Sequence, residues 1–292
     1  VVAGKGVDAS RPVTLPWKHD LPPTLIGPLL ARVQAPGVDM RLVQTMAVIG
    51  HEVPPDLLAA VLRMSDEEVT GALETLERAG IIDAVPASDA DDGAPPTYRF
   101  RHRLLWELVY DMQLLPARVS RHNSVAEVLL ERAGSIEAAD GAVLGQHLEQ
   151  AIRTPEAVLA YAAAARKNLE QGANAEFDAV LAHGFDLLDS ISDPEPRLAS
   201  ELPLRQLRAL AATTREGYMS PTAVADQERS LEICRHLPSR PDSLPAALGV
   251  WGYYLLRGDL AKADAVLDAQ LEGMSPIVAA TWPDIDVEAG CR

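Results

Sequence analysis

Three arginines and a histidine fall within five consecutive positions, Arg99 to Arg103, interrupted by a single phenylalanine. Guanidinium groups bind phosphate and carboxylate through paired N–H donors, and an imidazole can add a further polar contact. The chain of 292 residues has a formal net charge of −16, so this cationic stretch is a local exception. These residue types predict that a phosphate-sized anion could bind at this stretch.

The candidate site lies where a strand is expected to give way to a helix. Alternation along the strand puts Phe100 and His102 on one side and the arginines on the other. We therefore expect Phe100 in the core, His102 on or near that same side, and the arginines toward solvent or a partner. A histidine at a helix N-terminus lies beside free backbone amides, which favours an anion site. The alternative is that His102 caps the helix or packs under the hairpin, and that the arginines offset Asp89, Asp91 and Asp92.

The elements around this junction follow from periodicity and punctuation. Residues 1–23 are rich in Gly and Pro without helical periodicity, which indicates a linker. Three short helical segments follow, then a capping box at Ser65–Glu68 that starts another helix, which Gly80 ends. The runs IIDAV and TYRFRH, separated by the polar PASDADDGAPP, predict a two-stranded hairpin. Helices followed by a hairpin are the layout of a winged helix-turn-helix domain, which we expect over residues 24–115.

From residue 116 to residue 292 the sequence predicts helix after helix, each with an apolar face. Pairs of helices meet around the glycine turns at Gly172, Gly217 and Gly258, at an irregular spacing longer than the ~34 residues of a tetratricopeptide repeat. Gly184 is expected where a small residue lets paired helices approach. The expected fold class is thus mainly α, a winged-helix domain with a small β-hairpin followed by a tetratricopeptide-like helical repeat array, incomplete at the C-terminus. An irregular helical bundle is the alternative for this half.

Several kinds of chemistry have no support in the sequence. It contains no GxxxxGK[ST] phosphate loop, HExxH, GxSxG or GxGxxG after a strand, so we expect no catalysis by this chain and no cofactor within it. Cys234 and Cys291 have no metal-ligand spacing, so no metal site is expected, and they fit a reducing cytoplasm. Trp106 and Tyr110 are expected in the core, and His147 and His183 in structural roles within amphipathic helices.

Composition also bears on macromolecular partners. The helix that would enter the DNA groove, between Ser65 and Ala79, carries five acidic residues and one arginine. Placing that face on phosphates would be unfavourable, so direct nucleic-acid binding is disfavoured. The chain also lacks an apolar run of the ~18 residues that a membrane span needs, so we expect a cytoplasmic protein without membrane contact.

Six stretches in order resemble one family. They are LPPTLIGPLLARV, MAVIGHEVPPDLLAAVL, DEEVTGALETLERAGII, YRFRHRLLWELVYDMQLLPARVSRHNSVAEVLLE, LGQHLEQA and AVLAYAAAARKNLEQGANAEFDAVLAHGFDLL. Their order is similar to the region after the ATPase core in bacterial STAND-class signalling ATPases, which are large LuxR-type or MalT-like regulators and class III cyclase-linked proteins. The resemblance covers roughly residues 21–190.

The resemblance implies a regulatory switch and sensor region without catalysis of its own. In that family an ATPase core precedes the winged helix, and an effector, either a LuxR-type DNA-binding domain or a cyclase, often follows. The implied partners are that core, the effector, and a protein or small-molecule inducer on the helical array. Phe100–His102 would then face bound ATP or ADP, and His102, with Arg101 and Arg103, would contact its phosphates once the missing core is present. The second hypothesis is a stand-alone tetratricopeptide-like scaffold that binds peptides or proteins.

Overall fold

The structure, a computed structural model, describes residues 23–86, 96–237 and 243–269. The predicted linker 1–23, apart from Pro23, lies outside the described residues, as do most of the predicted hairpin loop and Cys291. The chain divides into two compact units, Val1–Ala160 and Tyr161–Arg292. The predicted boundary between residues 115 and 116 therefore does not coincide with the division into compact units, and as a domain boundary it stays a prediction.

The described elements confirm a mainly helical fold with a small sheet. In the first unit they are α1 (Pro23–Val33), α2 (Met40–Ile49), β1 (Glu52–Val53), α3 (Pro55–Leu62), α4 (Asp66–Arg78), β2 (Ile82–Val85), β3 (Thr97–Phe100), α5 (Arg103–Asp111), α6 (Leu115–Ala133) and α7 (Gly141–Gln150). Helix α8 (Thr154–Glu170) contains the division between the units.

The sheet has three antiparallel strands in the order β1-β3-β2. Glu52 pairs with Arg99 across β1 and β3, and Ile82 pairs with Phe100 across β2 and β3. The sequence predicted the hairpin formed by β2 and β3 but missed β1. A strand of two residues between Gly50 and Pro54 is too short to show alternation, so β1 depends on pairing with a strand almost fifty positions away.

Local signals fix the ends of α4 as predicted. The backbone N–H of Ser65 donates to Glu68 Oε2 at 2.8 Å, and the N–H of Glu68 donates to Ser65 Oγ at 3.3 Å, which completes the capping box. Gly80 follows with φ +68°, a left-handed conformation that costs glycine little. The chain thereby turns directly from α4 into β2.

One hydrophobic core holds the first unit together. Its fully buried side chains come from every layer, with Met46 on α2, Leu58 on α3, Leu73 on α4, Ile82 on β2 and Leu105 on α5. Side chains of this size each contribute roughly 1.5–3 kcal/mol when removed from water. The core therefore fixes the sheet, and with it the junction between β3 and α5, against three helices.

The second unit is helical throughout its described elements, α9 (Asn174–Leu188), α10 (Pro194–Glu216), α11 (Pro221–His236) and α12 (Leu244–Leu256). Helix α10 begins at Pro194. Pro194 and Pro196 fall in the first turn, where the missing N–H groups would have no partner in any case. Pro203 lies inside the helix, at a position where a proline usually breaks or kinks a helix.

Gly184 lies where α9 and α10 approach closely, as the sequence predicted. A Cβ atom at this position would lie 3.0 Å from Leu204 Cδ2 and 3.4 Å from its Cδ1. Leu204 is fully buried, so it has little room to move. The glycine therefore permits the spacing of this helix pair.

We expect Gly184→Leu to destabilise the protein by about 1–3 kcal/mol, because the new side chain would overpack the interface at Leu204. Urea denaturation followed by circular dichroism measures the change. Gly71→Leu is the matched control, since a Cβ at this exposed helical position meets nothing within 4 Å. Equal stability of the Gly184 variant and the wild type would contradict a tight interface.

Candidate functional site

The predicted anion site lies at the end of β3, where the chain enters α5. Phe100 is 5% exposed and belongs to the core, as predicted. Strand geometry stops at Phe100, so the alternation does not continue to His102, which is exposed rather than on the core side. His102 is the N-cap residue of α5, but its side chain makes no capping hydrogen bond. Its imidazole is thus displayed at a helix N-terminus.

Arg101 is held by a carboxylate on the neighbouring strand. Its Nε donates to Asp83 Oδ1 at 2.9 Å and its Nη2 at 2.6 Å. The guanidinium holds the pKa of the Asp83 carboxyl below its usual range, chiefly through this hydrogen bond, and Arg99 and His102 act in the same direction. Arg101 is therefore oriented but partly neutralised by its partner.

Arg103 forms a similar pair along α5. Its Nε donates to Glu107 Oε1 at 2.7 Å, and Glu107 is buried. Arg99 is exposed and forms no ion pair with the part of the chain that the structure describes. Among the described residues, Arg101 and Arg103 therefore each have a hydrogen-bonded carboxylate, whereas Arg99 and His102 have none.

Two carboxylates within the described residues pair with the arginines of the junction. Asp89, Asp91 and Asp92 lie outside the described residues, and the observed partners are Asp83 and Glu107. Asp83 comes close through the register of β2 against β3, which places it opposite Arg99. Arg101, His102 and Arg103 all lie at the junction between β3 and α5. No described contact brings their three side chains to a common point.

A buried polar chain behind the junction was missed by sequence reasoning. Tyr110 Oη lies 3.0 Å from His122 Nε2, and His122 Nδ1 lies 3.0 Å from His147 Nδ1. All three residues are at most 7% exposed. The two hydrogen bonds join α5, α6 and α7, and we call these residues the Tyr–His–His chain. Trp106, which donates to the carbonyl oxygen of Ala47 at 2.9 Å, confirms the expected core role of the aromatic residues on α5.

Burial keeps both imidazoles of this chain neutral. It lowers the pKa of His122 to about 3, with further contributions from His147 and Arg118, and lowers that of His147 to about 4. Neutral imidazoles act as one donor and one acceptor each, which suits a hydrogen-bonded chain. The expected structural role of His147 is confirmed, and His183 packs edge-on against Tyr161 at 4.9 Å between ring centroids.

The second unit contains a cluster of arginines and buried carboxylates between α10 and α11. Asp226, 1% exposed, accepts from Arg205 Nη1 at 2.8 Å and from Arg208 Nε and Nη2 at 2.6 and 2.7 Å. Glu201, also buried, accepts from Arg205 and Arg229. We call these five residues the arginine–carboxylate cluster. No local sequence pattern predicts this cluster, because its members are separated by up to 28 positions.

The described residues contain neither a metal-binding cluster nor a membrane-spanning helix. No group of three or more His, Cys, Asp or Glu side chains in residues 23–86, 96–237 and 243–269 is arranged to hold a metal ion. Within the same ranges, every helix is too short or too polar to cross a lipid bilayer.

An uncharacterized protein of Rhizobium meliloti (strain 1021) is 28% identical over 265 residues, which are 89% of this chain but 24% of that protein. The chain thus spans about a quarter of the length of this relative. No protein-family model matches the chain. No solved structure matches it either.

Proposed function

We propose that this chain is the switch and sensor region of a STAND-type signalling ATPase or transcriptional regulator, without catalysis of its own. The observation that carries the proposal is the connectivity of the first unit. The element order α2, β1, α3, α4, β2, β3 and the sheet order β1-β3-β2, which sets the first strand beside the last, support the winged-helix assignment. The residues that follow the sheet are helical, as the tetratricopeptide-like part of such a region requires.

The proposed mechanism is a two-state equilibrium. An ATPase core with bound ADP, outside this chain, would be held closed by contacts with the winged helix at the β3–α5 junction. A protein or small molecule that binds the helical part would favour the open state, because a ligand shifts an equilibrium by its differential affinity for the two states. Similarity to a quarter of a much longer relative supports a role as one region of a larger protein.

Within this proposal, the geometry favours His102 as the phosphate contact. Its imidazole is exposed at the N-terminus of α5, beside backbone amides that favour an anion. Arg101 and Arg103 are bonded to Asp83 and Glu107, so they would attract a phosphate rather than enclose it. The exposed Arg99 completes the cationic edge.

We expect His102→Ala in the full-length protein to co-purify with less bound nucleotide and to raise basal signalling output. Nucleotide released by acid denaturation and quantified by chromatography gives the first readout, and a reporter of the effector gives the second. His51→Ala, another exposed histidine of the first unit, is the control. Unchanged nucleotide content and basal output in the His102 variant would contradict the switch role of this junction.

DNA binding by the winged helix is disfavoured by the exposed side of α4. Asp66, Glu67, Glu74 and Glu77 are all exposed on this helix, which is the one that would enter the major groove. A protein that binds duplex DNA through such a module would show affinity that falls steeply with salt. Absence of binding at low salt would remove this function.

A peptide-binding scaffold is the second candidate, and one cavity in the second unit favours it. Helices α9 and α10 and the start of α11 border a cleft of about 270 Å³ with Phe177, Phe185, Arg208 and Arg215 in its lining. The guanidinium carbon of Arg208 lies 4.4 Å from the ring centroid of Phe185. A scaffold of this kind works without nucleotide, so it predicts that His102→Ala changes neither readout described above.

A further inference from the structure

One face of the first unit combines poorly compensated positive charge with exposed large apolar side chains. It lies where the N-terminal half of α2 meets the turn between α5 and α6. The cationic–apolar face, as we call it, consists of Arg41, Gln44, Met112, Leu114, Leu115, Arg118 and Arg121.

Hydrogen bonds hold this face in one arrangement. Arg121 Nη2 donates to Gln44 Oε1 at 2.6 Å, and its Nη1 donates to Gln113 Oε1 at 3.1 Å. Gln113 is buried and donates in turn to the carbonyl oxygen of Gln44 at 3.2 Å. Leu114 is the N-cap residue of α6, and helical spacing brings Arg118 and Arg121 to one side of this helix. The guanidinium of Arg121 is fixed by neutral amides, one of which belongs to Gln113, the residue before Leu114.

The positive charge of this face is poorly compensated. Among the residues that the structure describes, neither Arg41 nor Arg121 forms an ion pair, and Arg41 donates to the carbonyl oxygen of Leu62 at 3.3 Å. Burial lowers the pKa of Arg121, and the nearby charge of Arg41 lowers it further. Arg118 meets one carboxylate, that of Asp111, at 3.8 Å. A bound anion would relieve this repulsion.

The apolar part of the face is open to solvent. Leu114 is 78% exposed, Leu115 59% and Met112 49%. Single exposed apolar residues need no explanation, but three of them adjoining in one turn suggest a contact site. Their position beside Arg118 and Arg121 makes the face amphipathic.

We propose that the cationic–apolar face binds an acidic amphipathic helix of a protein partner. Apolar side chains of that helix would cover Met112, Leu114 and Leu115, and its carboxylates would pair with Arg41 and Arg121. Such helices bind through side chains at i, i+3, i+4 and i+7. The inference concerns a surface distinct from the β3–α5 junction and does not depend on the proposed switch function.

Charge and shape select this partner among the alternatives. Duplex nucleic acid presents phosphates at its surface but no apolar side chains to cover Met112, Leu114 and Leu115. A second copy offers the acidic α4, but Val69, Leu73 and Leu76 of that helix are buried in its own core, so α4 has carboxylates without the matching apolar stripe. An acidic helix with its own exposed leucines satisfies both parts of the face.

The test uses the full chain and a fluorescently labelled synthetic helical peptide with leucines and glutamates at i, i+4 spacing. We expect saturable binding by fluorescence anisotropy, and roughly tenfold weaker affinity for Leu114→Ser and for Arg121→Gln. Leu256→Ser and Arg166→Gln are matched controls, since both positions are exposed elsewhere in the chain. Because Leu114 projects into solvent, its variant tests the face even if Arg121→Gln perturbs folding.

Three outcomes would overturn the proposal. The first is that the wild type does not bind the peptide, or that a twin peptide with lysine in place of glutamate binds equally well. The second is that Leu114→Ser and Leu256→Ser have the same affinity. The third is that the Leu114-dependent binding is to phosphatidylserine vesicles or duplex DNA and not to the peptide.

Discussion

We expect Asp226→Ala to lower the free energy of unfolding of the second unit by about 3–5 kcal/mol, because it removes the buried partner of two guanidinium groups. Asp226 is 1% exposed and accepts three hydrogen bonds from Arg205 and Arg208. Attraction in the partly dry space between α10 and α11 is stronger than at the surface. Without the carboxylate, both cations would remain there with less compensation.

The cost differs for the two arginines. Arg205 retains Glu201, to which its Nε donates at 2.9 Å, whereas Arg208 has Asp226 as its ion-pair partner among the described residues. Arg208 would keep its stacking on Phe185 but would lose both charge-assisted hydrogen bonds. Loss of α10–α11 packing is therefore expected to begin at Arg208.

Equilibrium denaturation in urea, monitored by circular dichroism, measures the free energy of unfolding of the wild type and of Asp226→Ala. Asp189→Asn is the control, since its carboxylate pairs with Arg197 while 88% exposed and should change stability by less than about 1 kcal/mol. A change as small for Asp226→Ala as for Asp189→Asn would mean that the cluster contributes no more than a surface ion pair.

Acidification should destabilise the first unit through the Tyr–His–His chain. Folding lowers the pKa of His122 from 6.5 to about 3 and that of His147 from 6.5 to about 4. The unfolded chain therefore binds protons at these positions below pH 6.5, while the folded chain does not. Stability is fully present above pH 6.5 and falls as the pH decreases toward 4.

The expected loss between pH 7 and pH 4 is on the order of 5 kcal/mol for the two imidazoles together. The sharper observable is the slope of the free energy of unfolding against pH. Each proton that the unfolded state binds and the folded state does not contributes about 1.4 kcal/mol per pH unit to this slope. His147→Leu should reduce by one the number of protons that the unfolded state binds in excess of the folded state. It should therefore halve the contribution of the two histidines to the slope of stability against pH. Below pH 5 the carboxylates of the protein contribute equally to the pH dependence of stability of the wild type and of His147→Leu. Their contribution therefore cancels in the comparison.

Urea denaturation at half-unit intervals from pH 7 to pH 4 measures both slopes. His51→Gln is the control, because it changes an exposed histidine of the same unit and leaves the Tyr–His–His chain intact. Identical slopes for the wild type and His147→Leu would show that His147 is not held neutral by burial.

Local features of the fold could be predicted from the sequence, and long-range pairings could not. The capping box at Ser65 and the turn at Gly80 depend on residues within a few positions, so the pattern contains them. Gly184 was predictable from its place in a helix pair. In contrast, β1 forms through pairing with β3, and α10 continues through Pro203, where propensity favoured a break.

The same distinction between local features and long-range contacts applies to the candidate site. The type and order of Arg101, His102 and Arg103 located a cationic junction between a strand and a helix. Their partners could not be found, since Asp83 depends on strand register and the exposure of His102 depends on where β3 ends. The His122–His147 contact joins α6 and α7 across 25 positions, and neither histidine has a sequence signature of pairing.

The two hydrogen bonds of the Tyr–His–His chain run in the same direction, and the position of the ring proton of His122 determines which direction that is. Neutral His122 carries a single ring proton. If that proton is on Nδ1, His122 donates to His147 and accepts from Tyr110; if it is on Nε2, both hydrogen bonds reverse and His147 becomes the donor. The tautomers of two residues on different helices are thereby locked together. The ¹⁵N chemical shifts of His147 should report the orientation of the Tyr110 hydroxyl on α5, which it does not touch.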